Sequence, residues 1–140
     1  MPANDSRDTI EMEITAISVS PQGVEQYIVS FAAKSDAALK LDMQVGKSEA
    51  SVLAMEIEQM KPTAPLPFDL FHGALEKVGY RVQEVVIETI EDGIYKAKLV
   101  CTNGSDTFQL AARAVDAVTL ALKFGSPVYC SRQLLVSKER

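Results

Sequence analysis

Apolar and polar positions alternate in three stretches near the start of the chain. Ile10, Met12, Ile14 and Ala16 interleave with Glu11, Glu13 and Thr15, the period of a half-buried strand. Beyond the turn-forming Pro21-Gln22-Gly23, the same period resumes at Tyr27, Val29, Phe31 and Ala33. Lys34-Ser35-Asp36 turns again, and Leu39, Leu41, Met43 and Val45 alternate with Lys40, Asp42 and Gln44. This pattern predicts a three-stranded antiparallel meander.

At Gly46 the period changes. Ala50, Leu53, Ile57 and Met60 share one helical face, predicting a helix over 48–60 with Ser48 as N-cap and Glu49 in its first turn. Lys61-Pro62 closes it and opens a stiff extended loop, KPTAPLP. Pro67 suits the first turn of a second helix, with Phe68, Phe71, Ala74, Leu75 and Val78 on the buried side and Gly79 at its end.

Strand patterns then return. Arg81 to Ile90 is rich in Val and Ile, Glu91-Asp92-Gly93 signals a hairpin, and Tyr95, Ala97, Leu99 and Cys101 alternate with Lys96, Lys98 and Val100. Asn103-Gly104 turns into a strand with Phe108, Leu110 and Ala112 on its core face. Next comes a nearly continuous apolar run, Val115 to Phe124, predicted as a helix buried on most sides. Its charges are Arg113 just before it, Asp116 in its first turn and Lys123 at its end, the last two placed favourably for the helix dipole. Gly125 stops it, and Pro127 starts a short strand, Val128-Tyr129-Cys130.

The order is therefore strand-strand-strand-helix, twice. Glu49-Ala50 with Leu53-Ala54-Met55 echoes Asp116-Ala117 with Leu120-Ala121-Leu122 at an offset of 67. The predicted class is α+β: an antiparallel or mixed sheet with three helices, in two β-β-β-α halves. One domain is expected over 10–136, between a disordered tail at 1–9 and a short tail at 137–140.

Composition trims the functional options. At 140 residues and 47% apolar content the chain can bury one sizeable core. No window approaches the roughly 20 apolar residues of a membrane span, and MPANDSRDT lacks the apolar centre of a secretory signal. A cytoplasmic location follows as the expectation, with Cys101 and Cys130 as buried free thiols. The net charge of −5, with no run of Lys or Arg, argues against a strong grip on duplex phosphates and leaves room for weak contact with single strands. GxGxxG, Walker and GxSxG signatures are missing from the sequence, and His72 is its one histidine. His-based zinc sites and a Ser-His-Asp triad therefore lack parts, and His72 is expected at a surface or interface.

Candidate chemistry rests on carboxylates at helix starts: Glu49, Asp69 and Asp116. They can simply stabilise helix dipoles, by roughly 0.3–1 kcal/mol each. Alternatively they converge on Mg²⁺ or Mn²⁺, which favour carboxylate oxygens, while Arg113 holds a phosphate oxygen.

Three segments carry a family resemblance. They are Val45-Gly46-Lys47-Ser48-Glu49-Ala50, Ala64-Pro65-Leu66-Pro67-Phe68-Asp69-Leu70, and Ala111-Ala112-Arg113-Ala114-Val115-Asp116-Ala117-Val118-Thr119-Leu120-Ala121. In order and spacing they resemble the motifs of the bifunctional nuclease (BFN) domain family, and Ser126-Pro127-Val128-Tyr129 resembles its closing segment. The resemblance implies a BFN-type fold and cleavage of DNA and RNA. On that reading Asp69, Arg113 and Asp116 are catalytic, and Glu49, Asp69 and Asp116 ligate Mg²⁺ or Mn²⁺. The family pattern has an arginine, threonine and histidine in the second segment that this chain lacks, and Ala111 and Val115 replace an acid and a serine in the third.

Two functions lead at this point, beside a third reading as a purely structural interaction domain. One is a metal-assisted nuclease. The other is an inactive BFN-fold module that binds a small ligand or a protein partner, its four surviving polar residues forming a buried ion pair whose loss costs about 3–5 kcal/mol. A homodimer is expected in either case, as for many small domains.

Overall fold

The computed structural model describes residues 8–21, 23–61 and 63–137. Gln22 and Pro62, taken above as parts of a turn and a helix stop, lie outside the described residues, as do 1–7 and 138–140 of the two expected tails.

The architecture is α+β. Strands β1 (Thr9–Val19), β2 (Gln26–Ala33) and β3 (Leu39–Gly46) are followed by helices α1 (Lys47–Ile57) and α2 (Pro67–Lys77). Strands β4 (Arg81–Glu91), β5 (Ile94–Thr102) and β6 (Thr107–Arg113) lead into α3 (Ala114–Phe124), and β7 (Val128–Ser131), a 3-10 turn and β8 (Val136–Ser137) complete the chain. Regular structure among the described residues thus runs from Thr9 to Ser137.

All eight strands form one sheet in the order β6-β5-β4-β7-β1-β2-β3-β8. β7 joins the halves, antiparallel to β1 and parallel to β4, which makes the sheet mixed. The expected duplication is visible in the elements, since α1 and α3 coincide residue for residue at the 67-residue offset. The two-residue hairpin between β4 and β5 is built on Asp92 and Gly93, both with positive φ, the geometry a tight hairpin requires.

The core lies between one face of the sheet and the helices. Met12, Phe31, Leu41 and Met43 from one half meet Val82, Val85, Ile87 and Leu99 from the other. α3 runs through the middle, with Ala114, Val115 and the whole stretch Ala117–Ala121 buried. Thr119 is tolerated there because its hydroxyl donates to the Val115 carbonyl at 2.8 Å. Cys101 and Cys130 are buried free thiols, and burial pushes the Cys130 thiol up to about 12.

Three local expectations change. α1 begins at Lys47 with Gly46, not Ser48, at its N-cap, and it stops at Ile57, leaving Met60 57% exposed. Gln59 adopts a left-handed φ of 58°, and the Met60 amide donates back to the Met55 carbonyl, a closing turn that glycine usually signals and here does not. Val78 ends α2 exposed instead of buried, because the chain already reverses at Gly79 (φ 84°). The third change is β6. Phe108 and Leu110 keep the predicted period, but β6 is the edge of the sheet and both remain exposed.

Gly125 ends α3 at φ 68°, ψ 33°, and the Ser126 amide donates to the Ala121 carbonyl at 2.8 Å. An added Cβ at Gly125 would meet no atom within 4 Å, so the cost of substitution is conformational alone. Gly125→Ala should therefore destabilise the protein by about 1 kcal/mol, read as a shift in denaturant midpoint at constant m.

Candidate functional site

The helix starts come together because the two halves of the sheet approach each other at one end. Gln26, Val45 and Gly46 of the first half and Ile94, Tyr95 and Arg113 of the second line a single cleft of about 130 Å³. Arg113, the N-cap of α3, occupies the position equivalent to Gly46, the N-cap of α1.

Arg113 gathers two of the three predicted carboxylates. Its Nε and one terminal nitrogen donate to the two oxygens of Asp116 at 2.9 and 3.1 Å, a bidentate pair. Its other terminal nitrogen donates to Glu49 Oε2 at 2.5 Å. The second oxygen of Glu49 accepts the Gly46 amide at 2.7 Å, so this acid also caps its own helix. The Asp116 hydrogen bond acts most strongly on the guanidinium, burial opposes it next, and with the charges of Asp116 and Glu49 added the pKa stands above its ordinary value. The Arg113 side chain is 50% exposed. The ion pair is therefore open to solvent, not the buried pair of the inactive-module reading. A second hollow, of about 200 Å³, is lined by Glu49, Phe68, Arg113 and Asp116.

Asp69 stands apart from this group. One of its oxygens accepts the Leu66 amide at 2.7 Å, capping α2, and the other binds Lys123 at the end of α3. Lys123 also pairs with Glu56 of α1. The Lys123 hydrogen bond and then the Leu66 amide hold the Asp69 carboxyl below its ordinary value. Burial opposes the charge on Lys123, but its bonds to Asp69 and Glu56 outweigh it and hold the ammonium above its usual pKa.

The polar residues thus divide into two clusters at opposite ends of the α1–α3 contact. The helices lie side by side and run the same way, since Arg113–Glu49 joins their starts and Lys123–Glu56 joins their ends. Seven residues of helix separate the clusters, about 10 Å. Sequence reasoning overlooked Glu56 and underrated Lys123. The signal was available in the 67-residue echo, because Glu56 and Lys123 occupy equivalent positions two turns beyond Glu49 and Asp116.

His72 packs its ring against Phe124, with centroids 4.4 Å apart, and faces Glu76 across 3.6 Å. It belongs to the α2–α3 contact. Among the described residues, no group of three His, Cys, Asp or Glu side chains is placed to hold a metal ion. Mg²⁺, however, is commonly held by one or two carboxylates together with water and substrate phosphate. Glu49 and Asp116, two hard oxygen donors already sharing one cation, fit that requirement.

A groove of about 760 Å³ lies elsewhere. Met12, Ile14, Ala54, Ile57, Val118 and Leu122 form its apolar part, with Glu13 and Glu58 exposed at the rim. Among the described residues, no helix is long and apolar enough to cross a membrane.

Comparison with known proteins agrees with the arrangement of motifs. The family model described as bifunctional nuclease domain matches residues 31–140. Two curated proteins of Mycobacterium tuberculosis, uncharacterized protein MT1877 (strain CDC 1551 / Oshkosh) and uncharacterized protein Rv1829 (strain ATCC 25618 / H37Rv), are each 30% identical over 95 residues. The match takes in 68% of this chain and 56% of each relative, so the chain spans little more than half their length.

Proposed function

The chain belongs to the bifunctional nuclease domain family, and from that membership we propose that it is a metal-assisted nuclease acting on DNA or RNA phosphodiesters in the cytoplasm. The observation that carries this reading is the convergence of Glu49 and Asp116, from two different helix starts, on the half-exposed Arg113. Glu49 and Asp116 would hold Mg²⁺ or Mn²⁺, which supplies Lewis-acid polarisation of a phosphoryl oxygen. Arg113, released from part of its bidentate pair, binds a second phosphate oxygen through the same planar donors. The hollows on either side of it, about 130 and 200 Å³, are the size of single phosphate or sugar groups and leave a strand draped over the surface. With a net charge of −5 and one arginine at the centre, binding should be weak and favour flexible single strands. Asp69, in this reading, positions α2 through Lys123 and does not touch substrate.

Purified protein should cleave single-stranded DNA or RNA when Mg²⁺ or Mn²⁺ is added, and EDTA should stop it. Intact substrate under every metal condition would remove the nuclease reading.

A second reading, an inactive module that binds a small ligand, is favoured by the large groove. Its apolar lining suits an amphipathic cation, since the acids Glu11, Glu13, Glu56 and Glu58 outnumber the one lining base, Lys34, which pairs with Glu11. It gains weight from the fact that each acid at the helix starts is already neutralised by a basic partner.

A further inference from the structure

The sheet's two edges are unlike. At one, β8 is only two residues long and pairs with Leu39 and Lys40 alone, and the rest of β3 carries the charged Asp42 and turns Leu41, Met43 and Val45 into the core, which leaves no exposed apolar side chain along it. At the other, β6 offers seven residues, Thr107-Phe108-Gln109-Leu110-Ala111-Ala112-Arg113, hydrogen-bonded to β5 on one side only. It has no proline and no bulge in its register, and no charge before Arg113, so it lacks the usual protections of a free edge. All its residues but Ala112 are exposed, including Phe108 at 37% and Leu110 at 41%. Tyr80 packs against the Phe108 ring, centroids 5.2 Å apart, and steadies it at the rim.

We propose that β6 is the docking edge for a second copy of this chain, joined antiparallel about a two-fold axis through Leu110. The sequence of the strand selects this occupant and this register. With Leu110 opposite its own counterpart, Phe108 faces Ala112 of the second copy and Gln109 faces Ala111, so these two large side chains each meet an alanine and the two leucines pack together on the axis. Arg113 meets Thr107 and never another arginine, which avoids like charges across the pair. Phe108, Leu110 and Ala112 alternate onto one face, and this register keeps that face continuous from copy to copy. Its consequence reaches the candidate site. Thr107 of the second copy sits beside Arg113 and closes one flank of the phosphate position. A seven-residue edge is a small interface, so dissociation in the micromolar range is expected.

Analytical ultracentrifugation of the whole chain should give twice the 15.2 kDa chain mass at high concentration, dissociating on dilution. Leu110→Lys, which sets two ammonium groups against each other on the axis, should raise the dissociation constant at least about tenfold. Its circular dichroism and melting should stay near wild type, because Leu110 is exposed in the single copy. Leu110→Cys should give a disulfide-linked dimer on mild oxidation, since directly opposed antiparallel residues lie within disulfide reach. Val136→Cys, on the other edge, should not. A wild-type chain that stays monomeric at millimolar concentration overturns the proposal. So does a dimer that Leu110→Lys leaves intact, or one trapped by Val136→Cys and not by Leu110→Cys. The cysteine trap decides the matter if the lysine variant fails to fold.

Discussion

Asp116→Asn should lower metal-dependent phosphodiester cleavage by about two orders of magnitude while leaving the melting temperature within a few degrees of wild type. The substitution keeps the shape of the side chain and removes one anionic ligand together with half of the bidentate grip on Arg113. Its small effect on stability follows from exposure. With Arg113 half exposed and Asp116 about one-third exposed, the pair sits in the range of surface salt bridges, about 0.2–1 kcal/mol. Glu49→Gln makes a sharper companion. An amide oxygen can still accept the Gly46 amide, so the α1 cap survives while the anionic oxygen facing Arg113 is lost. Both variants should lose cleavage at near-normal stability. Full activity in both would place the chemistry elsewhere, and losses of activity that track losses of melting temperature would assign these residues to folding alone.

Local signals carried most of the fold because they were strong. Alternation marked most strands of both halves, Val and Ile richness marked β4, and the apolar run ending at Gly125 marked α3. The 67-residue echo gave the duplication, which the matching bounds of α1 and α3 repeat in the structure. What escaped were properties set by distant partners. Phe108 and Leu110 have the period of a core strand, and only the strand order, which periodicity does not encode, puts them at an edge. Gln59 in a left-handed turn ended α1 early without a glycine to announce it. The site was legible in the same uneven way. Glu49, Arg113 and Asp116 do meet, as their equivalent helix-start positions suggested. Asp69, which has the same local look, is drawn by Lys123 to the other end of the helix pair. A carboxylate in the first turn of a helix has a predictable effect on that helix, but which base it meets is a tertiary fact.

That second cluster should matter most to stability. Lys123 is 13% exposed and stands between Glu56 and Asp69, themselves largely shielded. Lys123→Ala leaves two acids facing a position with no counter-charge, in the class of a broken buried pair that costs about 3–5 kcal/mol. Residual solvent access lowers the expectation to about 2–3 kcal/mol, or roughly 6–12 °C in melting temperature for a chain of this size. Lys123→Met, which keeps an apolar stem along the helix, should recover the packing share and retain the electrostatic one. The pH dependence separates the two. Asp69 has a folded pKa below its ordinary 3.8, so its contribution is present above that value and fades as pH falls through the folded one. Lys123 has a folded pKa above its ordinary 10.5, so its contribution is complete below 10.5 and fades only as pH rises through the folded value. At neutral pH both are in full force, and removing Lys123 has its largest effect. As pH falls below the ordinary 3.8 of Asp69 its contribution to the wild type fades, so the gap between wild-type and Lys123→Met stabilities should narrow. Denaturant titrations at pH 7 and pH 3 measure this directly. A gap that is the same at both values would mean that Lys123 contributes by packing, and one below about 1 kcal/mol at pH 7 would reduce the cluster to an ordinary surface pair.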